Sequence, residues 1–347
     1  MTATVVSPTV GAQRPARLIR GPVATRVLVL LALYAVFAVL SPSFRGTSAM
    51  YSIGIGFGLI GIVAVGVGLT MIVGELDLSV GSTAALGAVI GATVSGLGLA
   101  AAVLIAAAVG AAIGIAQGWL VARTGLNSLV LTIATLIAIG GAARVLAGDR
   151  TVLVADLSSS EMLNQQLAFV LRPSSSLAIV ICVVLAILLW RTRFGRQFYA
   201  VGGGRAEAAA AGIRSAPVIM VAFTVSGATA ALAGSMQALA SGSADPTAYG
   251  GLLTQAITAV LVGGVALSGG VGTVGGIVAG TLILQTLTTG LTALGVAPYL
   301  TAILTGVLLI AIVLVDVLTS RRSATQLRLF RARRMDRTIR HRARQEN

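Results

Sequence analysis

Long apolar runs parted by short polar breaks set the pattern of this chain. The stretches that carry no charge include Gly46–Gly74, Leu78–Ala122, Pro173–Trp190, Ser215–Ala244 and Pro246–Val315. A bilayer's hydrocarbon core is about 30 Å thick, and a helix crosses it with roughly 20 apolar residues. Stretches 78–122 and 246–315 are long enough to cross, turn and cross again. The pattern predicts helices over 23–40, 51–73, 79–96, 98–121, 128–147, 174–190, 216–240, 252–268, 273–291 and 298–317, about ten in all. The expected fold is therefore an all-α polytopic membrane protein. A membrane barrel would alternate in polarity over strands of about 10 residues, and the runs do not alternate.

Glycines mark the closest breaks, Gly96-Leu97-Gly98 and Gly269-Gly270-Val271-Gly272. The second and third spans flank GELDLSVG at 74–81 and are expected to be broken or partly re-entrant. Non-helical backbone at membrane depth needs protein or a wet cavity around it.

Composition narrows the class. Of 347 residues, 56% are hydrophobic and 10% charged, too few charges for the surface of a soluble domain. The 43 glycines suit close helix packing in lipid. The net charge of +14 is carried by arginine alone, since the chain has no lysine. The arginines cluster in the two tails and in an island at 191–214, as membrane topology requires, which argues against nucleic acid as the main partner. A Walker A loop needs a lysine on the phosphates and is excluded. If ATP is used, another chain must bind it. Cys182 falls in a predicted span and His341 in the basic tail, so neither suggests a disulfide or a metal site.

Arginine counts orient the chain with both termini cytosolic. Residues 1–22 read as a disordered cytosolic tail ahead of a retained first helix, 23–317 as the transmembrane domain, and 318–347 as a basic cytosolic tail. The last lies near anionic lipid headgroups. Arg14, Arg17, Arg20, Arg26 and Arg123 count on the same side as the island. Segment 148–173 is external.

Three segments carry candidate chemistry. In the first, Glu75 and Asp77 sit beside apolar runs, where an ionisable group is expensive and a functional candidate. The alternative is that Asp77 caps the helix that follows, accepting from its first backbone N–H groups. The second is the island, RTRFGRQFYAVGGGRAEAAAAGIR. Here Gly202, Gly203 and Gly204 read as a flexible lead-in to a short helix from Arg205 to Ala211. Glu207 falls in its first turn, Ala208 and Ala209 leave it narrow enough for a partner's groove, and Gly212 closes it before Ile213. The third, 256–296, is glycine-dense and uncharged. Its Gly263-Gly264-x-x-Leu267-Ser268-x-Gly270 echoes Gly74-x-x-Asp77-Leu78-Ser79-x-Gly81, which raises an internal repeat with broken helices around a central site.

Together these segments, spanning about residues 50–315, resemble the membrane permeases of bacterial ABC importers for sugars, of the ribose, xylose, galactose and autoinducer-2 types. The first matches the family's Gly-x-x-Asp-Leu-Ser-Val-Gly at Gly74, Asp77, Leu78, Ser79, Val80 and Gly81. The second matches its cytosolic motif at Phe194, Gly195, Arg196, Ala200, Gly202, Gly203, Ala208, Ala209, Gly212 and Ile213. The third matches Gly-Gly-x-x-Leu-Ser-Gly-Gly-x-Gly-Thr at Gly263, Gly264, Leu267–Gly270, Gly272 and Thr273. Gly204 departs from the family's usual Asn, and Glu75 from a small or apolar residue.

The resemblance implies a transport subunit with no catalytic residue. It implies a second permease subunit, an ATP-binding subunit that holds ATP and Mg²⁺, and an extracytoplasmic solute-binding protein, all at the bacterial inner membrane. Coupling to the ATPase falls to Gly202, Gly203, Arg205, Glu207, Ala208, Ala209, Gly212 and Ile213. Candidate pathway residues are Asp77, Ser79, Gln117, Asn127, Thr132, Gln237, Gln255, Thr258 and Gln285, each of which could equally hydrogen-bond between helices. Three alternatives stand beside this reading: an ion-coupled transporter using Glu75 and Asp77, a branched-chain amino-acid permease, and a scaffold or channel that does not pump.

Overall fold

A computed structural model describes residues 21–155, 157–167 and 171–310. The two expected tails lie outside them, except for Gly21 and Pro22, which open the first helix. That helix, α1 (Gly21–Leu40), ends in a 3-10 turn at Pro42–Arg45. The second span is one apolar rod made of α2 (Thr47–Gly56), a π-helical turn at Phe57–Gly61 and α3 (Ile62–Val73). Every residue of α3 is buried, which makes it the axis of the bundle.

The chain then runs through α4 (Val80–Thr93), α5 (Leu99–Thr124), α6 (Ser128–Ala147), α7 (Ser158–Asn164) and α8 (Pro173–Arg191). Two short helices, α9 (Arg193–Gly203) and α10 (Arg205–Ala210), make up the island. The remainder comprises α11 (Ser215–Ser241), α12 (Leu252–Val262), α13 (Val274–Ala293) and α14, described over Pro298–Ile310. Among the described residues, seven helices are long and apolar enough to cross a membrane, and α4, α12 and α14 are shorter apolar helices. The protein is a multi-pass helical membrane protein.

Lipid tails give helices no hydrophobic reason to associate, so close backbone packing has to hold the bundle. α11 packs on α3, α4 and α5. Gly110, Gly114 and Gly118 form a stripe on α5 at four-residue spacing. A methyl group at Gly110 or Gly114 would strike the carbonyls of Gly227 and Phe223, and one at Gly118 would come within 2.7 Å of Met220 Cα.

Two expectations are corrected. The eighth span stops at Val262, not 268, because Gly264 turns left-handed (φ 76°) and a loop runs to Thr273. The expected all-α class holds, with one small addition: β1 (Val152–Leu153) pairs antiparallel with β2 (Ser243–Ala244), Val152 opposite Ala244. Two loops leave the bundle side by side there, and their backbone groups satisfy one another. Arg26, counted with the cytosolic tail, lies within α1 and donates from Nε to the Val262 carbonyl (3.1 Å) at the C-terminus of α12, where the helix dipole favours a cation.

Candidate functional site

The three sequence motifs meet at one end of the bundle. α3 closes on Gly74 in the left-handed region (φ 86°), and Glu75 N–H reaches back to the Thr70 carbonyl (2.9 Å). The loop after α12 comes alongside, with Gly270 N–H donating to the Ile72 carbonyl (2.8 Å). The end of α9 fits between them. A side chain at Gly202 would collide with the Ile72 carbonyl and sit 2.6 Å from Gly270 N, and one at Gly269 would sit 2.7 Å from Gly74 Cα. Tyr199 on α9 adds a hydrogen bond to the Gly272 carbonyl (3.1 Å). Gly202 is thus packed at the end of a helix and Gly203 is that helix's exposed last residue, so neither is the flexible lead-in expected from their composition. Only glycine leaves room for three backbones to touch.

A charge pair crosses the same junction. Arg205, the first residue of α10, pairs with Glu75, whose side chain is 7% exposed against 46% for the arginine. α10 itself ends in a Schellman motif: Gly212 is left-handed (φ 77°), Ile213 N–H bonds the Ala208 carbonyl and Gly212 N–H that of Ala209 (both 2.9 Å). Ala208 is buried, whereas Ala206, Glu207, Ala209 and Ala210 face outward. The carboxylate of Glu207 occupies the space that a side chain at Gly204 would take. The φ of Gly204, 169°, is extended backbone that any residue adopts, so its departure from asparagine leaves the helix start in place.

Asp77 lies next to this junction, 1% exposed. Its Oδ1 accepts from Ser79 N–H (3.0 Å) and Ser79 Oγ (2.6 Å), and its Oδ2 from Ser226 Oγ on α11 (2.7 Å). This is an Asx turn that starts α4 and ties it to α11. Gln117 on α5 extends the network, its Nε2 donating to Ser79 Oγ (2.8 Å) and to Thr135 Oγ1 on α6 (2.7 Å). Thr132 donates to the Ser128 carbonyl (2.7 Å), and Ser128 Oγ accepts from Leu76 N–H (3.3 Å). Among the described residues no cation pairs with Asp77.

Other candidates are placed elsewhere. Asn127 is exposed and caps α6 through Leu129 N–H (2.9 Å). Thr258, fully buried, bonds the Thr254 carbonyl in its own helix (2.7 Å). Gln285 is buried against Gly56. Gln237 and Gln255 line open space at the far end of the bundle. A cavity of about 210 Å³ there is bounded by Gln237, Asn164, Arg172 and Leu59. One of about 340 Å³ is bounded by Gln237, Gln255, Asp245, Tyr249 and Leu59. The Thr247 backbone amide, followed by its hydroxyl, holds the Asp245 carboxyl below the usual range.

Composition hid α9. Its signal was present in Thr192, which caps the helix through Gly195 N–H (2.9 Å), and in Phe194, Phe198 and Val201 at helical spacing. Arg172 lies in the segment 148–173 expected to be external, and Asp245 in the gap between two charge-free stretches; neither was a candidate.

Apolar helices broken by glycine, loops locked together at the arginine-rich end and polar cavities at the other make up the layout of a multi-pass transport protein. Comparison with known proteins places it more closely. Residues 49–313 match the family described as "Branched-chain amino acid transport system / permease component", and the chain belongs to it. It is similar to the ribose import permease protein of Escherichia coli, 33% identical over 295 residues, covering 84% of this chain and 92% of the relative. It is 32% identical to the autoinducer 2 import system permease protein of Yersinia pseudotuberculosis over 84% of both chains. It is 31% identical to the L-arabinose transport system permease protein of Escherichia coli, over 84% of this chain and 89% of that one. No solved structure matches. The chain is a permease, a transport subunit and not an enzyme.

Proposed function

We propose that this chain forms the membrane pathway of an ATP-driven importer for a sugar or sugar-like small molecule, at the inner membrane of a bacterium. About ten apolar segments thread that membrane, with both termini in the cytosol. A second permease subunit completes the pathway, a solute-binding protein delivers substrate outside, and an ATP-binding subunit holding ATP and Mg²⁺ docks on the exposed face of α10 inside.

The observation that carries this reading is the inner junction. The ATPase contacts Glu207 and Ala209, while Gly212 and Ile213 fix the end of the helix they stand on. Arg205 grips Glu75 in the loop that leads to Asp77, and Gly202 and Gly203 lie on Gly269 and Gly270. Displacing α10 therefore moves the loop after α3 and the loop after α12 together, as rigid-body gating requires. The ion-coupled alternative is disfavoured by the same geometry, since Glu75 is paired and Asp77 accepts from three donors. Sugar is preferred to a branched-chain amino acid because the ribose and arabinose relatives match most of the chain.

Proteoliposomes that hold the chain with its ATP-binding subunit and binding protein test this. Uptake of a pentose should need ATP hydrolysis and survive an uncoupler. Uptake that persists without hydrolysis and collapses with the uncoupler refutes the proposal. Uptake of leucine in place of sugars refutes the substrate class alone.

A further inference from the structure

At the end of the bundle opposite the island, the two cavities share walls: Leu59, Gln237 and Ser241 line both. Leu59 reaches that position from the π-helical turn in the second span, and such turns concentrate at functional sites. The larger cavity, about 340 Å³, lies within the range of small-molecule sites. We propose that these cavities form one receiving site for a neutral polyhydroxylated ligand, with the carboxamides of Gln237 and Gln255 as its recognition groups. This inference rests on the sugar-import reading above and gives it a location.

The chemistry of the walls selects the ligand. Both bordering charges are already engaged. Arg172 bonds the Tyr51 hydroxyl and Asn164 Oδ1 (2.8 Å), with its guanidinium 4.4 Å from the Tyr51 ring centroid. Asp245 Oδ1 takes both the amide (2.8 Å) and the hydroxyl (2.7 Å) of Thr247. Both keep their charge, but the two are of opposite sign and are held by neutral partners, so together the walls carry no net charge. The side chains of Gln237 and Gln255, by contrast, bond to no protein group among the described residues. Both are half-buried on helices, α11 and α12, that place them on the wall of one cavity. Each carboxamide offers two N–H donors and a carbonyl acceptor. A sugar hydroxyl both donates and accepts, so adjacent hydroxyls can satisfy such a pair on both sides. A branched aliphatic side chain would leave it unpaired, at a cost.

The chain's single cysteine, Cys182, is buried, which makes surface labelling specific. Ser241→Cys puts a thiol on the wall common to both cavities. The test labels this variant in nanodiscs, without ATP-binding subunit or binding protein, using a membrane-impermeant maleimide. D-ribose, L-arabinose and leucine are the competitors. Labelling should be slowed several-fold by at least one pentose and not by leucine. Adding Gln237→Leu and Gln255→Leu should abolish protection while the rate without sugar stays the same, which reports an intact fold. Absence of labelling, absence of pentose protection, or protection that survives both leucines overturns the proposal. Protection by leucine alone overturns the sugar class and leaves the location. Because no ATP is present, these outcomes are independent of whether uptake is ATP-driven.

Discussion

The two ends of this bundle use the same residue types in opposite ways. At the island end, glycines remove side chains until backbones touch: Gly202 lies between Ile72 and Gly270, and Gly269 lies on Gly74. At the far end, the glycines at 250 and 251 meet no backbone, and the chain leaves cavities of about 210 and 340 Å³. Polar groups divide in the same manner. Asp77, Ser79, Ser226 and the Gln117 amide nitrogen hydrogen-bond one another, with Gln117 Oε1 left over, whereas the side chains of Gln237 and Gln255 bond to no protein group among the described residues. A packed end transmits displacement because it has no slack. An open end with unspent donors and acceptors has the room and the hydrogen-bonding groups that the proposed solute needs.

This contrast can be broken most forcefully at Gly202. Gly202→Val pushes a branched side chain against backbone that cannot rotate away, and should cost ~3 kcal/mol, the upper range for overpacking. Ala248→Val, which adds bulk at the larger cavity, should change stability by less than about 0.5 kcal/mol. Thermal unfolding in detergent compares them, and equal melting temperatures would dissolve the distinction between the two ends.

Asp77 comes next. Asp77→Ala orphans three donors and should lose about 2 kcal/mol, with amide exchange rising at the start of α4 and along α11 near Ser226. If exchange rises no more there than in α6, the aspartate does not tie the two helices together. A smaller effect than at Asp77 is expected at the charge pair. Arg205 is half exposed, so pairing with Glu75 should contribute only about 1 kcal/mol. Its weight should fall on coupling: Arg205→Gln should weaken the dependence of ATP hydrolysis on delivered substrate, and Glu75→Gln in the same chain should restore part of it. A double-mutant cycle with no interaction in either readout would remove the pair from the mechanism.

Much of this molecule was legible before its structure. Charge-free runs marked the long spans, and Gly212 marked the end of α10, because a left-handed cap is a local demand that glycine alone meets cheaply. Asp77 was readable as the start of α4 for the same reason: its partner Ser79 is two residues away. Gly202 and Gly203 were misread as flexible because glycine marks both loose chain and the tightest contacts, and only the neighbours distinguish them. Thr258 and Gln255 looked alike as polar residues on an apolar helix. One turned out to bond its own backbone and the other to line a cavity.

The sequence alone thus determined the membrane class, the helical runs and the motifs that carry the family likeness. These are properties of single segments and of their water–lipid partition. Tertiary structure alone decided that Gly74, Gly202 and Gly270 meet, that Glu75 pairs with Arg205 and that Ser226 answers Asp77. Each of those contacts joins residues more than sixty positions apart. Their geometry depends on how whole helices stack, which no local pattern encodes.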